Sequence, residues 1–412
     1  MRQALLNRVW LLFFVVSTIA IVLELIGGNT QVLSVAVASL FASAKLAADI
    51  SLGLIGVLAL WMGLMQVGEK AGVVGLFARL FEPLLHKLMP EVPRGHKAYG
   101  SISMNLTANM LGLDNAATPL GLKAMEDLQS LNPVKAVATN AQILFLVLNT
   151  SSVTLVPVTV FLYRAQQGAA APADIFLPIL LATCASTLVG LTVVAIVQRL
   201  SMLNTVVLAY GGVIFAFLGA SIFYLLSLSA TAIGEVSSVL GNGILLALVL
   251  SFILVAGFKK VPIYDEFIEG ATKGFKQAIQ LIPYLLAMLL AIGFLRASGA
   301  LDYALSGLAS VVHLMGFDGR FIDAMPTALM KPFSGSGARA MMLETMSHHG
   351  VDSFAGRLSA IFQGSTETTF YVLAVYFGSV GIKNGRHALG CGLAADAGGI
   401  IAAIGVCYWF YG

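Results

Sequence analysis

The chain has 412 residues, of which 58% are hydrophobic and only 10% are charged. Soluble domains carry about 25% charged residues, so the composition indicates a membrane protein. The formal net charge of +3 is too small to suggest nucleic-acid binding, and the three cysteines lie too far apart in sequence for a zinc site or a disulfide framework.

Apolar runs of about 18 to 25 residues are candidate transmembrane helices. The first of them follows a basic N-terminus and lacks a cleavage site of small residues, so we interpret it as a retained span rather than a signal peptide. The clear runs are 9–27, 50–68, 136–161, 175–198, 204–227, 239–258, 278–295 and 387–411, and a more polar ninth run covers 357–378.

Two further stretches do not have the pattern of ordinary spans. Residues 98–132 and 322–350 each contain a moderately apolar arm, a break rich in Gly, Pro, Ser or Asn, and a second arm that ends in charge. This pattern predicts a re-entrant hairpin, because non-helical backbone at membrane depth is tolerated only inside protein or beside a water-filled cavity. Amphipathic segments at 71–90 and 300–316 directly precede the hairpins and predict interfacial helices.

The order of these elements repeats. A span, an interfacial helix, a hairpin and two spans cover about 50–200, and the same series covers 278–411. Segment 149–154, NTSSVT, corresponds to 364–369, GSTETT, so that Ser152 is the counterpart of Glu367. With a cytoplasmic N-terminus, most of the 23 lysines and arginines fall inside, and the two hairpins enter from opposite sides.

The sequence therefore predicts an all-α polytopic membrane protein. We expect eight or nine transmembrane helices, two re-entrant hairpins and interfacial helices, arranged as two inverted-topology repeats. Secondary transporters with opposed repeats and broken helices bind their solutes where the repeats meet.

The hairpin tips and the polar clusters inside spans are the candidate functional elements. Gly112, Asn115, Pro119 and Gly121 suit a turn with unpaired backbone groups, which could hold a ligand or pack against other helices. Glu367 is the strongest candidate for a functional residue, since an ionisable group inside a span usually faces a cavity or a partner. A lone serine or threonine has a simpler explanation, a hydrogen bond to its own helix, whereas four or five polar residues in a row at matching repeat positions favour a site.

Four other polar residues leave alternatives open. Asn105 and Asn109 share one helix face and either point at a cavity or tie the hairpin to its neighbour. Asp396, inside the last span, either contacts a ligand or pairs with Arg339 or Lys331. We favour a pair between Arg339 and Glu344 over an anion site at Arg339.

Known catalytic motifs are missing from the sequence. It contains no GxxxxGK[ST] loop, GxSxG elbow or HExxH pair, so we expect neither an ATP motor nor an enzyme. We assign no metal site.

The signature regions of the chain resemble two known families. Residues 104–133, MNLTANMLGLDNAATPLGLKAMEDLQSLNP, resemble spore maturation protein A, and residues 334–346 and 364–389 resemble spore maturation protein B. The resemblance implies a fusion: an A-like half at 1–200 with the first Gate repeat at about 50–200, a linking transmembrane hairpin at 201–260, and a B-like half at 261–412 with the second Gate repeat. Both families are similar to the Gate domains of nucleoside transporters and of the ferrous-iron transport protein B.

This resemblance implies a binding site and a function. In concentrative nucleoside transporters the hairpin tips and the following broken spans hold nucleoside and sodium. By position, the substrate-binding residues would be Asn109, Asp114, Asn115, Thr118, Asn149, Thr150, Ser151, Ser152, Ser334, Ser336, Gln363, Ser365, Thr366, Glu367, Thr368 and Thr369.

We therefore expect a transporter-like protein of the bacterial inner membrane that binds a small polar solute, nucleoside-like or other. A sodium ion or a proton is the candidate coupling ion, and no other cofactor is expected. The expected partners are the solute and membrane lipid, without nucleic acid, and the resemblance implies dimers or trimers without choosing between them. The alternative is a non-transporting membrane scaffold for envelope or spore maturation.

Overall fold

A computed structural model describes residues 2–112, 114–200, 204–228 and 230–412. The side chains of residues 2–7, 9, 74, 76–78, 114–116, 215, 217, 230–231 and 281 lie outside this description. Within the described ranges the chain consists of α-helices, one 3-10 turn and one isolated backbone bridge, with no β-strand. The all-α prediction is therefore confirmed.

The first half contains a long apolar helix pair, an amphipathic helix, a hairpin and a broken span. Helix α3 is the predicted amphipathic segment, and α4 and α5 are the two arms of the first hairpin. The helices are α1 (Arg2–Ile26), α2 (Gln31–Lys70), α3 (Val73–Leu88), α4 (Ala98–Met110), α5 (Asp114–Ser130), α6 (Asn140–Thr150), α7 (Val158–Gln166) and α8 (Phe176–Gln198).

Two linking helices and a second series of the same kind follow. The second hairpin consists of a 3-10 turn (Ile322–Ala324), α13 and α14, and α15 and α16 form the second broken span. The helices are α9 (Thr205–Leu226), α10 (Ala230–Phe258), α11 (Ile263–Ala297), α12 (Ala300–Leu314), α13 (Met325–Met330), α14 (Gly335–His349), α15 (Phe354–Ser365), α16 (Thr369–Ser379) and α17 (Ala388–Tyr411).

Six described helices are long and apolar enough to cross a membrane, which makes the chain a multi-pass membrane protein. They include α8 and α17, while the predicted span 9–27 is represented by the shorter apolar helix Trp10–Ile26. The predicted spans 136–161 and 357–378 are each divided into two short helices by an unwound segment.

Helix α2 differs from the prediction, which placed Lys45 in a loop before a span at 50–68. It has 40 residues and includes Lys45 as an exposed helical position. The alanine-rich stretch before residue 50 contains no Gly or Pro that would end the helix. At 1.5 Å per residue α2 is about 60 Å long, twice the hydrocarbon thickness, and it packs along α11, which has 35 residues.

The two broken spans run in opposite directions. At one end, the amide of Ala138 before α6 donates to the carbonyl of Asn384 after α16, at 3.0 Å. At the other end, Arg164 of α7 donates through Nη1 to the carbonyl of Val351 before α15, at 3.1 Å. The start of one span thus meets the end of the other at both ends, which is the inverted arrangement that the repeat predicted.

The first hairpin turns earlier than the sequence suggested. The turn includes Leu111 and Gly112, and Gly112 has a positive φ of 69°. Pro119 and Gly121, predicted as turn residues, belong to helix α5 instead. Gly121 is needed for packing rather than for a turn, because a Cβ there would meet the hydroxyl of Tyr376 at 2.1 Å.

Candidate functional site

The two unwound segments, 151–157 and 366–368, meet at the centre of the molecule. Each is held by the hairpin tip of its own repeat: Leu155 donates to the carbonyl of Met110 at 2.9 Å, and Phe370 donates to the carbonyl of Pro332 at 3.0 Å. The segments also meet each other, because the amide of Glu367 donates to the carbonyl of Thr150 at 2.7 Å. These bonds satisfy part of the backbone that the breaks leave free of helix.

A cavity of about 100 Å³ lies between the hairpins and the breaks. Both repeats contribute to its wall. Among the residues that line it are Asn109, Lys331, Arg339, Gln363, Thr366 and Glu367. The site is therefore shared by the two halves of the chain, as expected where inverted repeats meet.

Among the lining residues, Asn109, Arg339 and Gln363 each have a buried side-chain atom with no hydrogen-bond partner in the structure. These atoms are Nδ2 of Asn109, Nε of Arg339 and Oε1 of Gln363. Leaving such a group unsatisfied costs about 1–3 kcal/mol, and native proteins normally supply a partner or an ordered water. Two donors and one acceptor around one cavity are the chemistry of a site for water or a small polar ligand.

Charged side chains surround the same cavity. Lys331 is 5% exposed and donates through Nζ to the carbonyl of Gln363 at 2.6 Å, so it links the second hairpin to the second break. The Arg339 guanidinium lies over the ring of Tyr163, 5.2 Å from its centroid. Glu367 is the exposed residue of the break and lines the cavity. Both positive and negative charge are thus available to a bound solute.

The polar stretch 149–152 packs into the protein rather than lining the cavity. Asn149 donates through Nδ2 to Oδ1 of Asn105 at 2.5 Å, and Asn105 donates to the carbonyl of Ala117 at 2.7 Å. Ser151 returns a hydrogen bond to Val147, and Thr187 donates to the carbonyl of Ser151. Asn105 therefore ties the first hairpin to its neighbour, which was one of its two predicted roles.

Several serines and threonines near the second hairpin and second break also bond within the protein. Ser334 caps α14 by accepting from the amide of Gly337 at 3.0 Å, and its hydroxyl lies 3.2 Å from that of Ser336. Ser365 donates to the carbonyl of Phe362, and Thr369 donates to Oδ2 of Asp396 at 2.7 Å.

Of the sixteen predicted site residues, the cavity brings together Asn109, Gln363, Thr366 and Glu367. The side chains of Asp114 and Asn115 lie outside the described residues, although both belong to α5. The other predicted positions, which do not line this cavity, are Thr118, Asn149, Thr150, Ser151, Ser152, Ser334, Ser336, Ser365, Thr368 and Thr369.

Two expectations about charges are corrected. Glu344 forms its ion pair with Arg296 rather than Arg339, because residues five apart on a helix point in different directions. Lys331 and Arg339 line the cavity although the predicted ligand set omitted both. The signal was present in the sequence, since a lysine in an apolar hairpin arm is itself a candidate for a site.

Comparison with known proteins identifies relatives for both halves. The Gate family, described as nucleoside recognition, matches residues 51–166 and 278–383. Spore maturation protein B of Bacillus subtilis (strain 168) is 44% identical over 161 residues, which cover 39% of this chain and 89% of that protein. Spore maturation protein A of the same organism is 42% identical over 182 residues, which cover 44% of this chain and 90% of that protein.

Proposed function

This chain belongs to the Gate family and joins counterparts of spore maturation proteins A and B, and we propose that it binds a small polar solute in the central cavity as a transporter-like protein. The observation that carries the proposal is the set of unpartnered atoms on Asn109, Arg339 and Gln363 around one cavity between inverted repeats. A scaffold has no need for such a site.

The size of the cavity bears on the solute. About 100 Å³ holds roughly three water molecules at about 30 Å³ each, whereas pockets for drug-sized ligands measure about 300–1,000 Å³. A nucleoside therefore requires the hairpins to move away from the breaks, and a smaller solute fits with less movement. Secondary transporters bind at repeat interfaces that open by such motions of one repeat against the other.

The proposal includes a place and an orientation. Six apolar helices in the described part of the chain put it in a membrane, and we assign this membrane as the bacterial inner membrane with the N-terminus in the cytoplasm. Support for the orientation comes from the distribution of lysine and arginine along the sequence. No catalysed reaction forms part of the proposal.

The alternative is a membrane scaffold in which polar clusters serve as interhelical glue. The 149–152 stretch favours it locally, because Asn149 and Ser151 bond within the protein. The scaffold predicts the same dry packing at Gln363 and Asn109, whose buried polar atoms instead lack partners. The cavity is therefore the feature that separates the two functions.

The test is the thermal stability of the purified full-length protein against nucleosides, dicarboxylates and small inorganic ions. Binding to the native state raises apparent stability by mass action. We expect at least one class to raise the melting temperature of the wild type and of Asn242→Ala, an exposed control, but not of Asn109→Ala or Gln363→Ala. Identical responses from all four proteins would reject the cavity as the binding site.

A further inference from the structure

A buried carboxylate lies beside the second break, outside the cavity wall. Asp396 of α17 is 2% exposed, and its Oδ2 accepts the hydroxyl of Thr369 at 2.7 Å. Its Oδ1 is buried and has no hydrogen-bond partner in the structure. Thr366, Lys331 and Glu367 also act on it electrostatically, and none of the salt bridges among the described residues includes Asp396.

The surroundings of Asp396 are built for close contact with the break. A Cβ on Gly392 would lie 2.8 Å from Thr369, and a Cβ on Gly399 would lie 2.9 Å from Thr366. These two glycines lie about one turn before and after Asp396 on the same helix face. Since Thr366 also lines the cavity, one residue of the break touches both the solute site and the helix that carries Asp396.

The first repeat reaches the same contact without an ionisable group. There Thr187 of α8 donates to the carbonyl of Ser151, and the amide of Thr154 donates to Thr183 of the same helix at 3.4 Å. Helix α8 contains no charged residue. Threonines are thus sufficient to hold a broken span against its neighbouring helix, so the fold alone does not account for a carboxylate at residue 396.

Keeping a carboxyl group ionised in this buried position costs folding free energy. Burial of an unpaired charge is avoided in practice by neutralisation, and ionisable groups inside spans commonly serve proton relays. A proton needs no space around Oδ1, which protein atoms enclose.

The helices packed against α17 add few charges near this point. Arg357 of α15 is engaged with Asp174 and Asp352. The titratable or charged groups on these helices and on α17 itself are Cys184 on α8, Glu235 on α10, Arg357 on α15, Tyr371 and Tyr376 on α16, and Cys391, Cys407, Tyr408 and Tyr411 on α17, while α6 has none.

We propose that Asp396 is a proton-binding site, protonated in this conformation, and that it releases its proton when the second break moves. Binding of the proton converts the carboxylate to the neutral acid, and release returns the proton to water that enters through the opened cavity. The coupling to solute rests on the proposed function, whereas the protonation itself does not. The site would give a solute-binding protein a proton as its coupling ion.

Infrared spectroscopy of the full-length protein in lipid tests the protonation directly, because a protonated carboxyl has a carbonyl band separate from that of a carboxylate. At neutral pH we expect this band in the wild type and in Glu126→Gln, an exposed control, and its loss in Asp396→Asn. Asparagine keeps the acceptor for Thr369, so the variant should fold. If it does not, Thr369→Val keeps the carboxyl and should shift the band, because the hydrogen bond to Oδ2 is lost.

Two results would overturn the proposal. The first is a band that Asp396→Asn and Thr369→Val both leave unchanged. The second is conversion of the wild-type carboxyl to carboxylate by sodium at constant pH, which would assign the site to a metal ion. The readout needs no solute, so a band at Asp396 in a protein that binds nothing would sustain the proton site and count only against the proposed function.

Discussion

The two broken spans have the same backbone plan but contribute different chemistry to the centre of the molecule. In the first, Asn149 donates to Asn105, and the carbonyl of Ser151 accepts from Thr187. The residues of this span that line the cavity are Thr154, Val156, Pro157, Val158, Thr159, Val160 and Tyr163, most of them apolar. In the second, Gln363, Thr366 and Glu367 all line the cavity. The first break therefore resembles a support, and the second a binding surface.

This difference teaches that an internal repeat conserves geometry more readily than function. Both breaks are held by a hairpin tip and by a following long helix, which is the geometric requirement for unwound backbone in a membrane. Once the backbone is satisfied, the side chains of one copy are free to change. Serine at 152 and glutamate at 367 are counterparts of this kind.

The largest expected effect concerns Arg164, at one of the two ends where the broken spans meet. Arg164 is fully buried and bonds to Asp174 and Asp352 at 2.9 Å each, while burial raises the pKa of Asp174 despite Arg164 and Arg357 nearby. Arg164→Met leaves these carboxylates short of a partner, and we expect a loss of about 3–5 kcal/mol of unfolding free energy. Denaturant unfolding in micelles measures it.

The matched control for this variant is Lys273→Met, which removes an exposed lysine from its pair with Glu269. We expect no measurable change there, because exposed ion pairs contribute little. Equal losses in the two variants would show that the buried ion pairs do not join the repeats.

A second prediction concerns the contact between the first break and its hairpin. Gly112 has a positive φ, and a Cβ there would lie 2.6 Å from the carbonyl oxygen of Val156. Gly168 also has a positive φ but faces open space. We expect Gly112→Ala to lose about 2–4 kcal/mol, from strain plus the clash, and Gly168→Ala about 1–2 kcal/mol, from strain alone.

Thermal unfolding of the two alanine variants, measured side by side, checks this difference. A smaller loss for Gly112→Ala than for Gly168→Ala would mean that the tip and the break are not in close contact.

A third prediction tests whether Asn149 supports the fold. Asn149→Leu removes the amide that donates to Asn105, so the buried Oδ1 of Asn105 loses this hydrogen bond. We expect the free energy of unfolding to fall by about 1–3 kcal/mol. Ligand-induced stabilisation should persist, because Asn149 does not line the cavity. Melting curves with and without ligand separate the two effects, and a variant of normal stability that no longer responds to ligand would place Asn149 in the binding site.

Much of the fold was predictable because, in a membrane protein, apolar runs mark the helices, and Gly and Pro interruptions mark where helices end. The hairpins, the inverted order and the interfacial segments followed from Gly and Pro interruptions and from the repeat. The extension of α2 through Lys45 was not predicted. A single lysine in an alanine-rich stretch does not end a helix, and it does not reveal that the helix is longer than the membrane is thick.

The site was harder to predict than the fold. Polar clusters mark where backbone breaks, but cluster membership does not distinguish a side chain that bonds within the protein, such as Asn149, from one that lines a cavity, such as Gln363. That distinction depends on which face of a short helix meets a neighbour, and the neighbour of Asn149 is Asn105 on a different helix. Lys331 lines the cavity but was missing from the predicted set. Its contact with the Gln363 carbonyl joins two elements that are not neighbours in the sequence.

The smallest expected effect on stability belongs to the residue with the largest expected effect on binding. Glu367 is exposed and lines the cavity, so Glu367→Gln removes a charge while keeping the size of the side chain. We expect unfolding within about 0.5 kcal/mol of the wild type, together with loss of the thermal shift produced by the solute. Ser152→Ala, at the counterpart position of the first break, should keep that shift. If Glu367→Gln responds to the solute as the wild type does, the second break is not the binding surface, and the difference between the two repeats has no functional meaning at this position.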